Sequence, residues 1–211
     1  MSYVQIALQH VFLYPVLEKY MRSFELVGIE NLDALSGPAI FVSNHTSHAD
    51  TAVILYALPN RCKENLVIAA AQDYFYKNRI VGSVVSSVLN TFPFDRNNIR
   101  KGFSAARKLL REGNSLLIYP EGSRAQQAKG FKRGFALLAA EQGLPIVPIY
   151  ISGTNEMLPK GALFPRRQSV RIEIGQPVYP SNLSNKALAH LVEERVGEME
   201  ATSKMSQAAV A

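Results

Sequence analysis

The chain has a single cysteine, Cys62, in 211 residues. That excludes an internal disulfide, a thiolate zinc cluster and a Cys-x-x-Cys redox pair, and it fits a cytoplasmic location. No uninterrupted apolar run approaches the ~18–20 residues that a membrane-spanning helix needs, and the amino terminus lacks the Lys/Arg start of a secretory signal. There is no G-x-S-x-G elbow, so no covalent serine nucleophile of that kind is evident. The absence of G-x-x-x-x-G-K-[ST] and G-x-G-x-x-G argues against nucleotide hydrolysis and dinucleotide binding. Repeats, Ser/Gly-rich linkers and low-complexity blocks are missing too, so nothing divides the chain into two domains.

What is present is positive charge. Lys and Arg number 23 against 17 Asp and Glu, giving a net charge of +6 and a pI near 9.5, which favours an anionic partner: nucleic acid, an anionic membrane or a phosphorylated metabolite. The segment Arg96 to Arg133 holds ten basic residues against Glu112 and Glu121. It is expected to face phosphate, or in part to form a solvated basic helix. It lacks any recognisable nucleic-acid reading motif, so no nucleic acid is expected as a partner. The first 17 residues carry no formal charge and are rich in Val, Ile, Leu and Phe. They fit either a helix lying in a lipid interface or one packed on the protein's own body.

Short β-type runs recur at 39–42, 66–70, 91–94, 115–119, 146–151 and 170–174. Helix-like stretches are expected at 3–21, 50–58, 75–89, 99–112, 132–142 and 184–202, with Gly113 and Gly143 as stops. This alternation predicts a single-domain α/β sandwich, a central mostly parallel or mixed sheet covered by helices. Residues 1–22 are expected to form the amino-terminal helix, 23–202 the main domain and 203–211 a frayed tail.

The segment Ser43-Asn44-His45-Thr46-Ser47-His48-Ala49-Asp50 joins a strand to an apolar helix. Positions i and i+5 of one regular helix lie about 140° apart, so His45 and Asp50 meet only if His45 sits in the turn before the helix and Asp50 in its first turn. A carboxylate on one imidazole nitrogen leaves the other free to take a proton, which makes a general base. His48 raises the alternative of metal ligation, but no second carboxylate or cysteine stands at ligand spacing, and no metal is expected. Further on, Tyr119-Pro120-Glu121-Gly122-Ser123-Arg124 follows a strand, with Gly122 allowing close backbone approach and Arg124 offering a planar fork for phosphate. Phe92-Pro93-Phe94-Asp95-Arg96 places a second arginine at another strand end, with Asp95 bracing it or capping the next turn.

In this order the segments resemble the glycerophospholipid acyltransferase family, whose member types include lysophosphatidic acid acyltransferases. Its Asn-His-x4-Asp motif matches Asn44, His45 and Asp50. Its second motif matches Phe94-Asp95-Arg96, its Pro-Glu-Gly-Thr/Ser-Arg motif matches Pro120 to Arg124, and its short apolar-Pro-apolar strand matches Val147-Pro148-Ile149. The similarity runs roughly from Glu25 to Pro180. One departure is that Asn90 and Pro93 stand where the second motif usually has Gly and an aromatic. The resemblance implies a glycerol-3-phosphate acyltransferase-like fold, with His45 as base, Asp50 orienting it, and Arg96 and Arg124 gripping an acceptor phosphate. Glu121, Gly122 and Ser123 would shape that seat. It also implies acyl-CoA or acyl carrier protein as donor, a phosphorylated glycerol lipid such as 1-acylglycerol 3-phosphate as acceptor, no cofactor, and work at the inner face of a membrane. Asn44, Asp95 and Pro148 would support the site, although Pro148 also reads as a structural strand-edge residue. The alternatives are a different acceptor, glycerol 3-phosphate or another lyso-lipid, and a non-catalytic lipid-binding module.

Overall fold

The computed structural model describes residues 3–71, 88–95, 98–122, 130–162, 164–181 and 183–210. Helix α1 (Tyr3–Leu8), a π-helical stretch (Gln9–Leu13) and α2 (Tyr14–Tyr20) run on into strand β1 (Met21–Val27) and a 3₁₀ turn (Ile29–Ala34). There follow β2 (Ile40–Ser43), α3 (Ala49–Ala57), α4 (Asn60–Lys63), β3 (Leu66–Ala71), β4 (Thr91–Phe94), α5 (Ile99–Arg111) and β5 (Ser115–Ile118). The chain closes with α6 (Gly134–Gln142), β6 (Ile146–Ser152), α7 (Thr154–Met157), β7 (Gln168–Ile174) and α8 (Asn185–Val210).

Seven strands form one sheet in the order β1-β7-β6-β2-β5-β3-β4. Every pairing is parallel except β6 with β7, so the expected mixed, mostly parallel sheet is what forms. Successive side chains of a strand point to opposite faces. In β2, Phe41 joins a core with α2 and α3, while Ile40 and Val42 join a second core with α5, α6 and α8. All of β2 is therefore buried, as a strand covered by helices on both faces must be. Because β2, β3, β4, β5 and β6 run the same way, their carboxyl ends gather at one edge of the sheet, where polar loop residues collect.

Several expectations need correction. Residues 21–27 form an edge strand where only the end of a helix was predicted, because Arg22 and Glu25 and a weak alternation of burial hide it. The chain beyond 202 does not fray: α8 continues to Val210, with Ser203 buried and the Thr202 hydroxyl bonded back to Glu198 O at 3.0 Å. Pro148 is not at a sheet edge, since β6 lies between β7 and β2. Its missing N–H is tolerated because it falls between the β6–β7 ladder, which begins at Ile149, and the isolated Ile146–Val178 bridge. The predicted helix 75–89 falls mostly outside the described residues, with Val88 and Leu89 helical. In the basic run, Arg107 makes a two-pronged bond to Glu141 of α6, at 2.6 and 2.9 Å, rather than facing a ligand. Gly143 is the left-handed stop of α6, φ 64°, as expected.

Candidate active site

β2 ends at Ser43 and α3 begins at Ala49, so His45 lies in the connecting loop and Asp50 in the first helical turn. Asn44 fixes where that loop starts: its Nδ2 donates to Ile151 O at 2.9 Å and its Oδ1 accepts from Ile151 N at 2.8 Å, pinning the end of β2 to the end of β6. The His45 ring then places Nδ1 2.9 Å from Asp50 Oδ2.

Asp50 is wholly buried, and its burial is compensated. Oδ2 also accepts the backbone N–H groups of Thr46, at 2.8 Å, and Ser47, at 2.9 Å, while Oδ1 accepts the Thr154 hydroxyl at 2.5 Å. Four donors converging on one carboxyl suit the ionised, acceptor-only form. The same bonds tie the loop to the helix start in the manner of a capping box. With Oδ2 as acceptor, Nδ1 carries the ring proton and Nε2 is the basic nitrogen. The His45 side chain is 18% exposed, so its ring is held by the protein and still reachable.

The face of that ring is covered by Tyr119, with centroids 4.1 Å apart and planes 23° from parallel. The Tyr119 hydroxyl lies 2.8 Å from Thr51 Oγ1. Burial, then the nearby Asp50 carboxylate, pushes the Tyr119 phenol well above its ordinary range. Tyr119 leads into the Pro120–Gly122 turn, where Glu121 Oε1 accepts the His45 backbone N–H at 3.3 Å. Burial is the main cause that raises the Glu121 carboxyl above its usual range, with the Asp50 and Glu200 carboxylates adding to it and His45 opposing it. Gly122 takes φ 75°, a left-handed conformation that glycine adopts without strain.

The structure thus brings Asn44, His45, Asp50, Glu121 and Gly122 together. Asp95 caps the turn before α5, accepting from Asn98 N at 2.9 Å. Pro148 packs against Gly175, back in the sheet. Arg96, Ser123 and Arg124 lie outside the described residues. His48 does not join the pair but lines an apolar cavity of about 310 Å³ beneath α2. Among the described residues, no cluster of three or more His, Cys, Asp or Glu is arranged to hold a metal ion. Tyr119 and Thr154 were missed as site residues. Tyr119 borders the Pro-Glu-Gly motif, whereas nothing in the sequence links Thr154 to Asp50.

The family model described as Acyltransferase matches residues 6–152, the stretch that holds this constellation. The chain belongs to the acyltransferase family. Among acyltransferase relatives, it is 30% identical over 175 residues to a chloroplastic 1-acyl-sn-glycerol-3-phosphate acyltransferase of Arabidopsis thaliana, covering 79% of this chain and 47% of that one. It is 27% identical to a 1-acyl-sn-glycerol-3-phosphate acyltransferase of Bacillus subtilis, over 81% of this chain and 85% of that one. The chain spans about half the length of the plant relatives it matches. In fold it is similar to the crystal structure of the lysophosphatidic acid acyltransferase PlsC from Thermotoga maritima. The TM-score is 0.74 at 24% identity, over 93% of this chain and 78% of that one.

Proposed function

We propose that this acyltransferase moves a fatty acyl group from acyl-CoA or acyl carrier protein to the free hydroxyl of 1-acylglycerol 3-phosphate, giving phosphatidic acid. The observation that carries the reading is the His45–Asp50 pair, a reachable imidazole whose Nδ1 is engaged by a buried carboxylate. His45 Nε2 takes the hydroxyl proton as the oxygen attacks the thioester carbonyl. The tetrahedral adduct then collapses, the C–S bond breaks, and the sulfur leaves with the proton returned by His45. No cofactor is needed. Asp50 holds the tautomer and stabilises the imidazolium; Arg96 and Arg124 bind the acceptor phosphate, and Glu121, Gly122 and Ser123 shape its seat. The acceptor is supported by the activity for which the plant and Bacillus relatives are named.

The enzyme works, in this reading, on the cytoplasmic face of a membrane. No helix among the described residues is long and apolar enough to cross one. The amino-terminal helix buries Tyr14 and Leu17 against the body and turns Val4, Val11, Phe12 and Val16 outward, a surface suited to a lipid interface. The amino-terminal helix, which ends at Tyr20, is accordingly the lipid-facing element, and the catalytic domain follows it. Liposome flotation of a chain lacking residues 1–20, if unchanged from full length, would remove the interfacial role.

The test of the reaction is transfer of radiolabelled palmitoyl from acyl-CoA, and separately from acyl carrier protein, to lysophosphatidic acid by wild type and His45→Ala. Phosphatidic acid formed by wild type and reduced about 10²–10⁴-fold in the variant is the expected result. No product from either donor would sink the proposed acceptor and turn the search to glycerol 3-phosphate and other lyso-lipids.

A further inference from the structure

Lys132 lies outside the four motifs, yet the structure brings it to the site. Its backbone N–H donates to Pro120 O at 3.1 Å, which ties it to the Pro120–Gly122 turn. Its side chain runs back along that turn: Nζ, Cε and Cδ lie 2.5, 3.2 and 3.6 Å from where a Cβ on Gly122 would stand. The ammonium therefore rests on the glycine instead of reaching away from the turn. The same turn carries Glu121, bonded to the His45 backbone, and follows Tyr119, stacked on the His45 ring. The Lys132 backbone is thus tied to the turn that contacts His45, with its ammonium lying along Gly122.

Charge and surroundings indicate what it meets. Arg107, Lys108, Arg171 and Lys204 are each paired with glutamate, whereas no carboxylate of the described residues lies at ion-pair distance from Lys132. The acids at this turn, namely Glu121 with Asp50 and Glu200 near it, would repel a phosphate unless cations offset them. Lys132 also contributes the charge to an otherwise mostly aromatic and aliphatic cavity of about 320 Å³, walled by Phe94, Phe103 and Phe135. A cation at the mouth of an apolar cavity suits an anionic headgroup carrying a hydrocarbon chain.

We infer that Lys132 binds the phosphate of the acceptor, an inference that rests on the acyltransferase reading above. In 1-acylglycerol 3-phosphate the phosphate is borne on the carbon next to the reacting hydroxyl. In acyl-CoA the phosphates lie beyond the whole pantetheine arm. A cation on the turn that contacts the base matches the near phosphate and not the far one.

The full chain is titrated calorimetrically, without donor, with a short-chain 1-acylglycerol 3-phosphate and with the monoacylglycerol of the same chain. K132Q is expected to weaken the first about 10–100-fold and to leave the second unchanged, and K132R to restore most of the loss. Thermal melting of K132Q should match wild type, because the side chain is exposed. In turnover, K132Q should raise KM for the acceptor while kcat and the KM for acyl-CoA change little. Equal binding by K132Q and wild type, or a wild type that does not prefer the phosphorylated ligand, would overturn the inference. So would a KM rise confined to acyl-CoA, which would assign Lys132 to the donor. Wild type that binds the phosphorylated ligand through Lys132 but forms no phosphatidic acid would sink the proposed transfer to this acceptor and leave Lys132 as a phosphate-binding residue.

Discussion

The ring of His45 lies on that of Tyr119, 4.1 Å between centroids, so the proposed base is held by its edge and by its face at once. Tyr119→Phe keeps the face and loses only the bond to Thr51. It should cost about 1 kcal/mol of stability and leave kcat near wild type. Tyr119→Leu removes the stacking surface and should lower kcat by about tenfold or more, since small misplacements of a reacting group are costly. Chemical denaturation and steady-state kinetics on both variants separate the two effects, and a Leu variant with normal kcat would remove the positioning role.

Asp50→Asn puts an amide among four donors. One of its N–H groups must face another donor, and the imidazole loses the partner that sets its tautomer. We expect kcat to fall about 10⁴-fold, as when the orienting carboxylate of a serine protease triad is amidated. Thr154→Val removes only the Oδ1 contact and should cost far less. Pre-steady-state acyl transfer checks this, and an Asn variant keeping a tenth of wild-type kcat would exclude Asp50 as the orienting group.

Glu121 titrates above the ordinary carboxyl range, chiefly because burial penalises its charge. The folded protein therefore keeps this proton at a pH where the unfolded chain has lost it. The resulting loss of stability begins near the unfolded value of about 4.3 and is complete above the raised folded value. Glu121→Gln should melt higher than wild type at pH 7 and show a smaller difference at pH 4. Melting curves across this range test the sign, and a Gln variant less stable at pH 7 than at pH 4 relative to wild type would contradict it.

Gly122→Ala forces a side chain into a left-handed residue, at about 1–2 kcal/mol, and into the space that the Lys132 ammonium fills. Lower thermal stability together with a raised acceptor KM is the expected outcome. A loss of stability alone would show that the ammonium merely shifts aside.

Asn90 shows why the motif residues were legible in the sequence. It stands where the resembled family begins its second motif with Gly, and its φ of 53° is left-handed, a conformation that Asn tolerates better than most residues. The letter differs, and the residue found is one that takes this conformation more readily than most. The contact between His45 and Asp50 was legible for a related reason, since an imidazole and a carboxylate at this spacing meet only across a loop–helix junction. Thr154 was not legible, because it reaches Asp50 across 104 residues by way of the sheet. Lys132 was legible only as one of several cations after Arg124, and its place on the turn needed the structure.

Among the described residues, β1 pairs with β7 and with no other strand. The first of these strands therefore waits for the seventh before it acquires a hydrogen-bonding neighbour, and pairings of such long sequence separation form slowly. The layer holding His45, Glu121 and Asn44 is built from β2, β5 and β6, all made in the interval. Assembly of the proposed reactive centre is thus decoupled in time from closure of the sheet.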